Sequence, residues 1–95
     1  MIMYNGVAVF KLRVEWQCTL KERRQVSQKV RDHIKNQFNA SVKLDYEEEA
    51  QIFYCVVSLL GESENFIDNQ LRYIEDYLEM LGEITYTCEV SIDRV

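Results

Sequence analysis

Ala8-Val9-Phe10-Lys11-Leu12-Arg13-Val14-Glu15-Trp16-Gln17-Cys18-Thr19-Leu20-Lys21-Glu22-Arg23-Arg24-Gln25-Val26 holds the change of period on which the fold turns. Its first half alternates. Ala8, Phe10, Leu12, Val14 and Trp16 fall on one side, and Val9, Lys11, Arg13 and Glu15 on the other. Successive strand side chains point to opposite faces, so this pattern predicts a half-buried strand with one charged face. The second half opens with Thr19-Leu20-Lys21-Glu22, the signature of a capping box. In that device the Thr19 hydroxyl accepts from the Glu22 amide, and the Glu22 carboxylate reaches back to Thr19. A helix follows, with Leu20, Val26, Val30, Ile34 and Phe38 on its inner side. Arg23 shares that side in the first turn, where its stem can pack while the guanidinium emerges at the helix end.

Working outward, Val42, Leu44 and Tyr46 alternate with Ser41, Lys43 and Asp45 in a short second strand, and Glu47-Glu48-Glu49 marks a turn. Gln51 to Leu60 is apolar on both faces, which belongs to a central strand. Ser63 caps a second helix whose core stripe is Ile67, Leu71, Ile74, Leu78 and Leu81, and Gly82 stands at its stop. A last strand places Ile84, Tyr86, Cys88, Val90 and Ile92 inward. The order strand-helix-strand-strand-helix-strand predicts an α+β fold, the ferredoxin-like split βαβ (βαββαβ). Right-handed crossovers put both helices on one face of a four-stranded antiparallel sheet. Residues 1–95 form one domain on this reading. The uncovered sheet face is expected to carry Lys11, Arg13, Lys43, Glu89 and Asp93 at its margins and a more apolar centre.

Charge divides the chain. From Lys11 to Lys43, nine basic residues stand against three acidic ones, a net of +6; from Asp45 onward, thirteen acidic residues stand against Arg72 and Arg94, a net of −11. The overall −5 conceals two opposite halves, an asymmetry typical of a polyanion-facing region joined to an acidic one. No apolar run reaches the ~18–20 residues of a membrane span, and Met1-Ile2-Met3-Tyr4 lacks the pattern of a signal peptide. A cytoplasmic protein without membrane contact is the expectation.

Catalytic and metal chemistry find little to use. Cys18, Cys55 and Cys88 are odd in number and far apart, so they read as reduced core thiols, and His33 is the single histidine. The chain has three glycines and neither phosphate-cradling glycine motif. Glu47-Glu48-Glu49 reads as a solvated turn, and Cys18, close before a helix start, has no histidine nearby in sequence to serve as base. The expectation is a non-catalytic protein with no cofactor and no metal.

Leu20-Lys21-Glu22-Arg23-Arg24-Gln25-Val26 resembles the L-K-E-K-R-x-V signature of the YlxP-like family of bacterial proteins. Phe38-Asn39-Ala40-Ser41-Val42 is similar to its R-F-N-V-S-V segment, and Val56-Val57-Ser58 to the V-V-S that closes its third strand. The resemblance covers nearly the whole chain, and it implies the ferredoxin-like fold. Genes of that family commonly lie beside those for translation initiation and ribosome maturation factors, which implies a ribosomal or RNA-linked role. Gln37 stands where the family often has arginine, Tyr46 or Glu47 where it often has tryptophan, and Phe53 where it often has glycine.

Two readings of the surface follow. Lys21, Arg24, Gln28, Arg31 and Lys35 run at helical spacing along the side opposite the core stripe. Cations so spaced can track a phosphate backbone, with Lys21, Arg24, Arg31 and Lys35 as contacts and Arg23 as a specific one. The plainer reading is a solvated helix face, or one turned toward the acidic second helix. Val9, Lys11, Arg13, Lys43 and Tyr54 form a second candidate contact face on the open sheet, suited to a homodimer. Gln51-Ile52-Phe53-Tyr54-Cys55-Val56 lacks the glycine-containing motif of an RNA recognition module.

Overall fold

In the computed structural model, which describes residues 1–95, the change of period falls between β1 (Tyr4–Val14) and α1 (Leu20–Phe38). The capping box forms as predicted. The Glu22 amide donates to Thr19 Oγ1 at 3.1 Å, and the Thr19 amide donates to Glu22 Oε1 at 2.9 Å. Two otherwise orphaned helix-start donors are satisfied this way. Asn39 closes α1 in the left-handed region, at φ 48°. The chain continues through β2 (Ser41–Tyr46), β3 (Ile52–Gly61), α2 (Glu64–Met80) and β4 (Ile84–Arg94). Ser63 caps α2 by accepting from the Phe66 amide at 3.1 Å, and Gly82 follows its end at φ 65°.

The four strands pair antiparallel in the order β2-β3-β1-β4, so β1 and β3 are central and both helices lie on one face. This is the ferredoxin-like α+β arrangement. Phe10, Leu12, Phe53, Ile34, Ile67, Ile74 and Leu78 are fully buried between sheet and helices. Each such side chain stabilises the fold by about 1.5–3 kcal/mol. Gly6 lies beneath Ile67 of α2, and an added Cβ there would collide with Ile67 Cγ2.

Three local expectations are corrected. Leu20 is 61% exposed, because the sheet-facing positions of the first helical turns are Arg23 and Ser27. Trp16 lies beyond the end of β1, half-buried against the core cluster. Gln51 precedes β3, and its side-chain amide donates to the carbonyls of Val14 and Trp16 at 2.9 and 3.0 Å.

Candidate nucleic-acid interface

The periodicity of α1 decides which way its basic stripe faces. Arg23, Ser27, Val30 and Ile34 are its buried residues. At about 100° per residue, the stripe Lys21, Arg24, Gln28, Arg31 and Lys35 lies on one flank and His33 lies close to the opposite one. His33 stacks on Tyr77 of α2, with ring centroids 3.7 Å apart and planes 11° from parallel. The stripe is therefore on the flank of α1 turned away from α2. Lys21, Arg24 and Lys35 are exposed and have no ion-pair partner, while Arg31 Nε donates to its neighbour Asp32 at 2.9 Å.

Four of the five acidic residues of α2 point the other way, and the fifth, Asp76, is exposed. Glu64, Asp68, Glu75 and Glu79 share the flank nearly opposite Tyr77. The Tyr86 hydroxyl of β4 donates to Glu75 and Glu79 at 3.2 and 3.0 Å, which holds that flank over the β4 edge. Burial, then the bond to Glu79 and the charges of Glu75 and Glu79, push the Tyr86 hydroxyl above its usual value. No ion pair joins the two helices. Packed helix axes stand ~8–10 Å apart and the Debye length is about 8 Å at physiological salt. The carboxylates of α2 are thus screened from the far flank of α1.

Arg23 is not part of that surface, and its role as a specific phosphate contact is corrected. The side chain is buried, with its guanidinium 4.7 Å from the centre of the Tyr46 ring. Its Nη1 donates to the carbonyl oxygens of Glu47, Glu49 and Ile52 at 2.6, 3.0 and 3.1 Å, and its Nε is buried without a partner. The group clasps the β2–β3 turn onto the start of α1. The Tyr46 hydroxyl and Ser27 Oγ, 2.9 Å apart, close the same junction. Glu47-Glu48-Glu49 is the turn that Arg23 holds through its main chain, with the acidic side chains exposed. Cys18 Sγ donates to the Ala50 carbonyl at 3.3 Å, which engages the thiol in the same loop region.

The open sheet face carries the second candidate set. Pairing register places Lys43, Val56, Val9 and Glu89 in one row across the four strands. Asp45, Tyr54, Lys11 and Thr87 form the next. Lys11 Nζ sits 6.0 Å from the Tyr54 ring centre, and Arg13 pairs with Glu49 at 3.0 Å. A hydrogen bond to the Glu47 carboxylate raises the Tyr54 hydroxyl above its usual value. Lys11, Leu12, Arg13, Ile52, Thr85, Tyr86 and Thr87 line a depression of about 370 Å³ near one end of the sheet. Lys29, exposed on α1, is a further cation outside the predicted stripe. Its position on the helix wheel, between His33 and the solvent, was the available signal.

A family model described as "Protein of unknown function (DUF503)" matches residues 6–90. Among curated proteins, none matches the chain. Three solved structures share its fold at low identity. The designed protein Foldit4 is 14% identical with a TM-score of 0.56, covering 93% of this chain and 94% of that one. A mutant of SnoaB, a cofactor-independent oxygenase from Streptomyces nogalater, is 12% identical with a TM-score of 0.52, covering 93% and 89%. A C-terminal segment of the alpha subunit of aIF2 from Pyrococcus abyssi is 16% identical with a TM-score of 0.50, covering 98% of this chain and about half, 51%, of that one. At such identities they report on the fold alone. No helix is long and apolar enough to cross a membrane.

Proposed function

The chain belongs to the family of proteins of unknown function whose model spans residues 6–90, and from that premise we propose that it is a non-catalytic RNA- or ribosome-associated binding protein. The observation that carries this reading is the flank of α1. Lys21, Arg24, Arg31 and Lys35 lie along one line, on the flank of α1 turned away from α2, and three of the four have no intramolecular ion pair. Within the pairs Lys21/Arg24 and Arg31/Lys35 the Cβ atoms are about 5–6 Å apart, near the spacing of successive phosphates on a strand, and Gln28 leaves the two pairs two turns, about 10.5 Å, apart. Arg24 and Arg31 add planar donors that can grip two phosphate oxygens at once. Arg23 serves the surface indirectly, by holding the start of α1 against the β2–β3 turn.

The likeness to YlxP-like proteins supports the ribosomal side of the proposal, through Leu20-Lys21-Glu22-Arg23-Arg24-Gln25-Val26. On this reading the protein works in the bacterial cytoplasm, in ribosome maturation or translation. The partner is a structured RNA read through its phosphates, and the overall negative charge limits affinity for bare nucleic acid. Cosedimentation with purified ribosomal subunits across a salt series tests this. The protein should pellet with one subunit at low salt and be released as salt rises. Failure to pellet at any salt would refute it.

A further inference from the structure

The open sheet face is balanced in charge, unlike the α1 flank. Lys11, Arg13 and Lys43 share it with Asp45, Glu89 and Asp93, and Arg13 is already held by Glu49. A polyanion gains little from such a surface. Its order is the informative property. Three rows on this face cross all four strands, and the middle one reads Lys43, Val56, Val9, Glu89 from the β2 edge to the β4 edge. Val9 is 37% exposed and Val56 half-buried; Lys43 and Glu89 are exposed, and neither has an ion-pair partner. Two valines at the centre are thus flanked by one free cation and one free anion, about 14 Å apart across three strand spacings.

We propose that this face is the interface of a homodimer whose two-fold axis runs along the strands, midway between β1 and β3. Such an axis reverses each row against its copy. Lys43 then faces Glu89 of the second copy, Val56 faces Val9, and Tyr54 in the next row faces Lys11, where the ring can receive the ammonium. An axis across the strands would instead set Lys43 against Lys43, so the charges select one orientation. Sheets stacked face to face settle about 30° apart because each is twisted. The rows therefore stay in register best at the centre of the face, where the valine row lies. β1, β3 and β4, of ten or eleven residues, and the six-residue β2 give a face of roughly 19 by 34 Å at its widest, somewhat under the ~800 Å² per partner of a standard interface and on the scale of a weak, concentration-dependent dimer. Both α1 flanks remain outside, on opposite surfaces of the dimer, so this interface stands independently of the RNA reading.

The test is solution mass across a concentration series, without nucleic acid, for wild type, Lys43→Glu, Glu89→Lys and an equimolar mixture of the two variants. Wild type should approach twice 11.3 kDa as concentration rises. Each single variant, repelling itself at both contacts, should stay monomeric with an unchanged circular dichroism spectrum. The mixture should recover the dimer, because a Lys43→Glu chain against a Glu89→Lys chain restores attraction at both contacts. Val9→Asp should also be monomeric, and mixing should not rescue it with either charge variant. A wild type that stays monomeric would overturn the proposal. So would a dimer indifferent to both reversals, or single variants that fail to recover on mixing.

Discussion

Replacing Arg23 by Met removes the clasp on the β2–β3 turn while keeping a long apolar stem in the same space. The cost can be worked from its contacts. Of the three carbonyls that Nη1 reaches, Ile52 also accepts from the Glu47 amide and Glu49 from the Ile52 amide, at 3.4 and 3.1 Å. Only Glu47, held at 2.6 Å, loses its sole backbone-oxygen partner. One charge-assisted hydrogen bond contributes about 1.5–3 kcal/mol, and the guanidinium over Tyr46 adds about 0.5–1 kcal/mol. Relief of the unpartnered, buried Nε offsets part of this. The net expectation is a loss of about 2–3 kcal/mol. Arg23→Lys, which keeps the charge but cannot reach three acceptors, should lose about half as much. Urea unfolding followed by circular dichroism measures it. With a slope near ~1 kcal/mol/M for a chain this small, the midpoint should fall by about 2–3 M for Arg23→Met. Hydrogen exchange should quicken first at Glu47 and Ile52. A midpoint shift under about 0.5 M would show that the clasp contributes nothing and that the buried arginine has another purpose.

Thr19→Ala should cost about 1 kcal/mol by breaking the capping box, read from the same urea titration. Its hydrogen bonds with Thr19 hold the Glu22 carboxyl below the usual range. Wild type therefore has this stabilisation in full above the ordinary carboxylate range and loses it as pH falls through the lowered folded value. Glu22→Gln, which cannot titrate, should show a smaller acid-side loss, whereas Thr19→Ala keeps the main-chain amide that donates to Glu22. Burial pushes the Cys55 thiol from 9.0 up to about 12, so its contribution is complete below pH 9.0 and is lost as pH rises toward about 12. Cys55→Ala, whatever its cavity costs at neutral pH, should flatten that alkaline decline in thermal melts. Gly6→Ala should destabilise by about 1–3 kcal/mol, because the new methyl meets the fully buried Ile67 and α2 must lift. Gly82→Ala, which meets nothing within 4 Å but must hold φ 65°, should cost about 1 kcal/mol through the backbone alone.

What could be read from the chain, and what could not, divides by range. The strand of β1, the capping box, the Val30 and Ile34 part of the sheet face of α1 and the stop at Gly82 all follow from spacings within a few residues. Each of these reappears in the structure. The inner position of Arg23 was legible for the same reason. Its purpose was not, since Glu47, Glu49 and Ile52 lie 24 to 29 residues away and reach it only through the hairpin. Leu20 misled because helical period alone does not show where the sheet stops beneath a helix. Whether the acidic helix covers the basic one required knowing that His33 meets Tyr77, a contact between elements. The row Lys43, Val56, Val9, Glu89 depends on three strand registers at once, and alternation within each strand cannot supply them.

The central claim, that the α1 flank contacts phosphate, is tested most directly by the salt slope of binding to the ribosomal subunit that retains the protein. Four phosphate contacts predict a slope of log K against log salt near −3, from about −0.7 to −0.9 per contact. Arg24→Gln should flatten that slope by nearly one contact. Reversal of Lys21, Arg24, Arg31 and Lys35 to Glu should abolish binding at every salt, while Arg23→Met, where folded, keeps the wild-type slope. Equal slopes for wild type and Arg24→Gln, or retained binding after the fourfold reversal, would contradict the account.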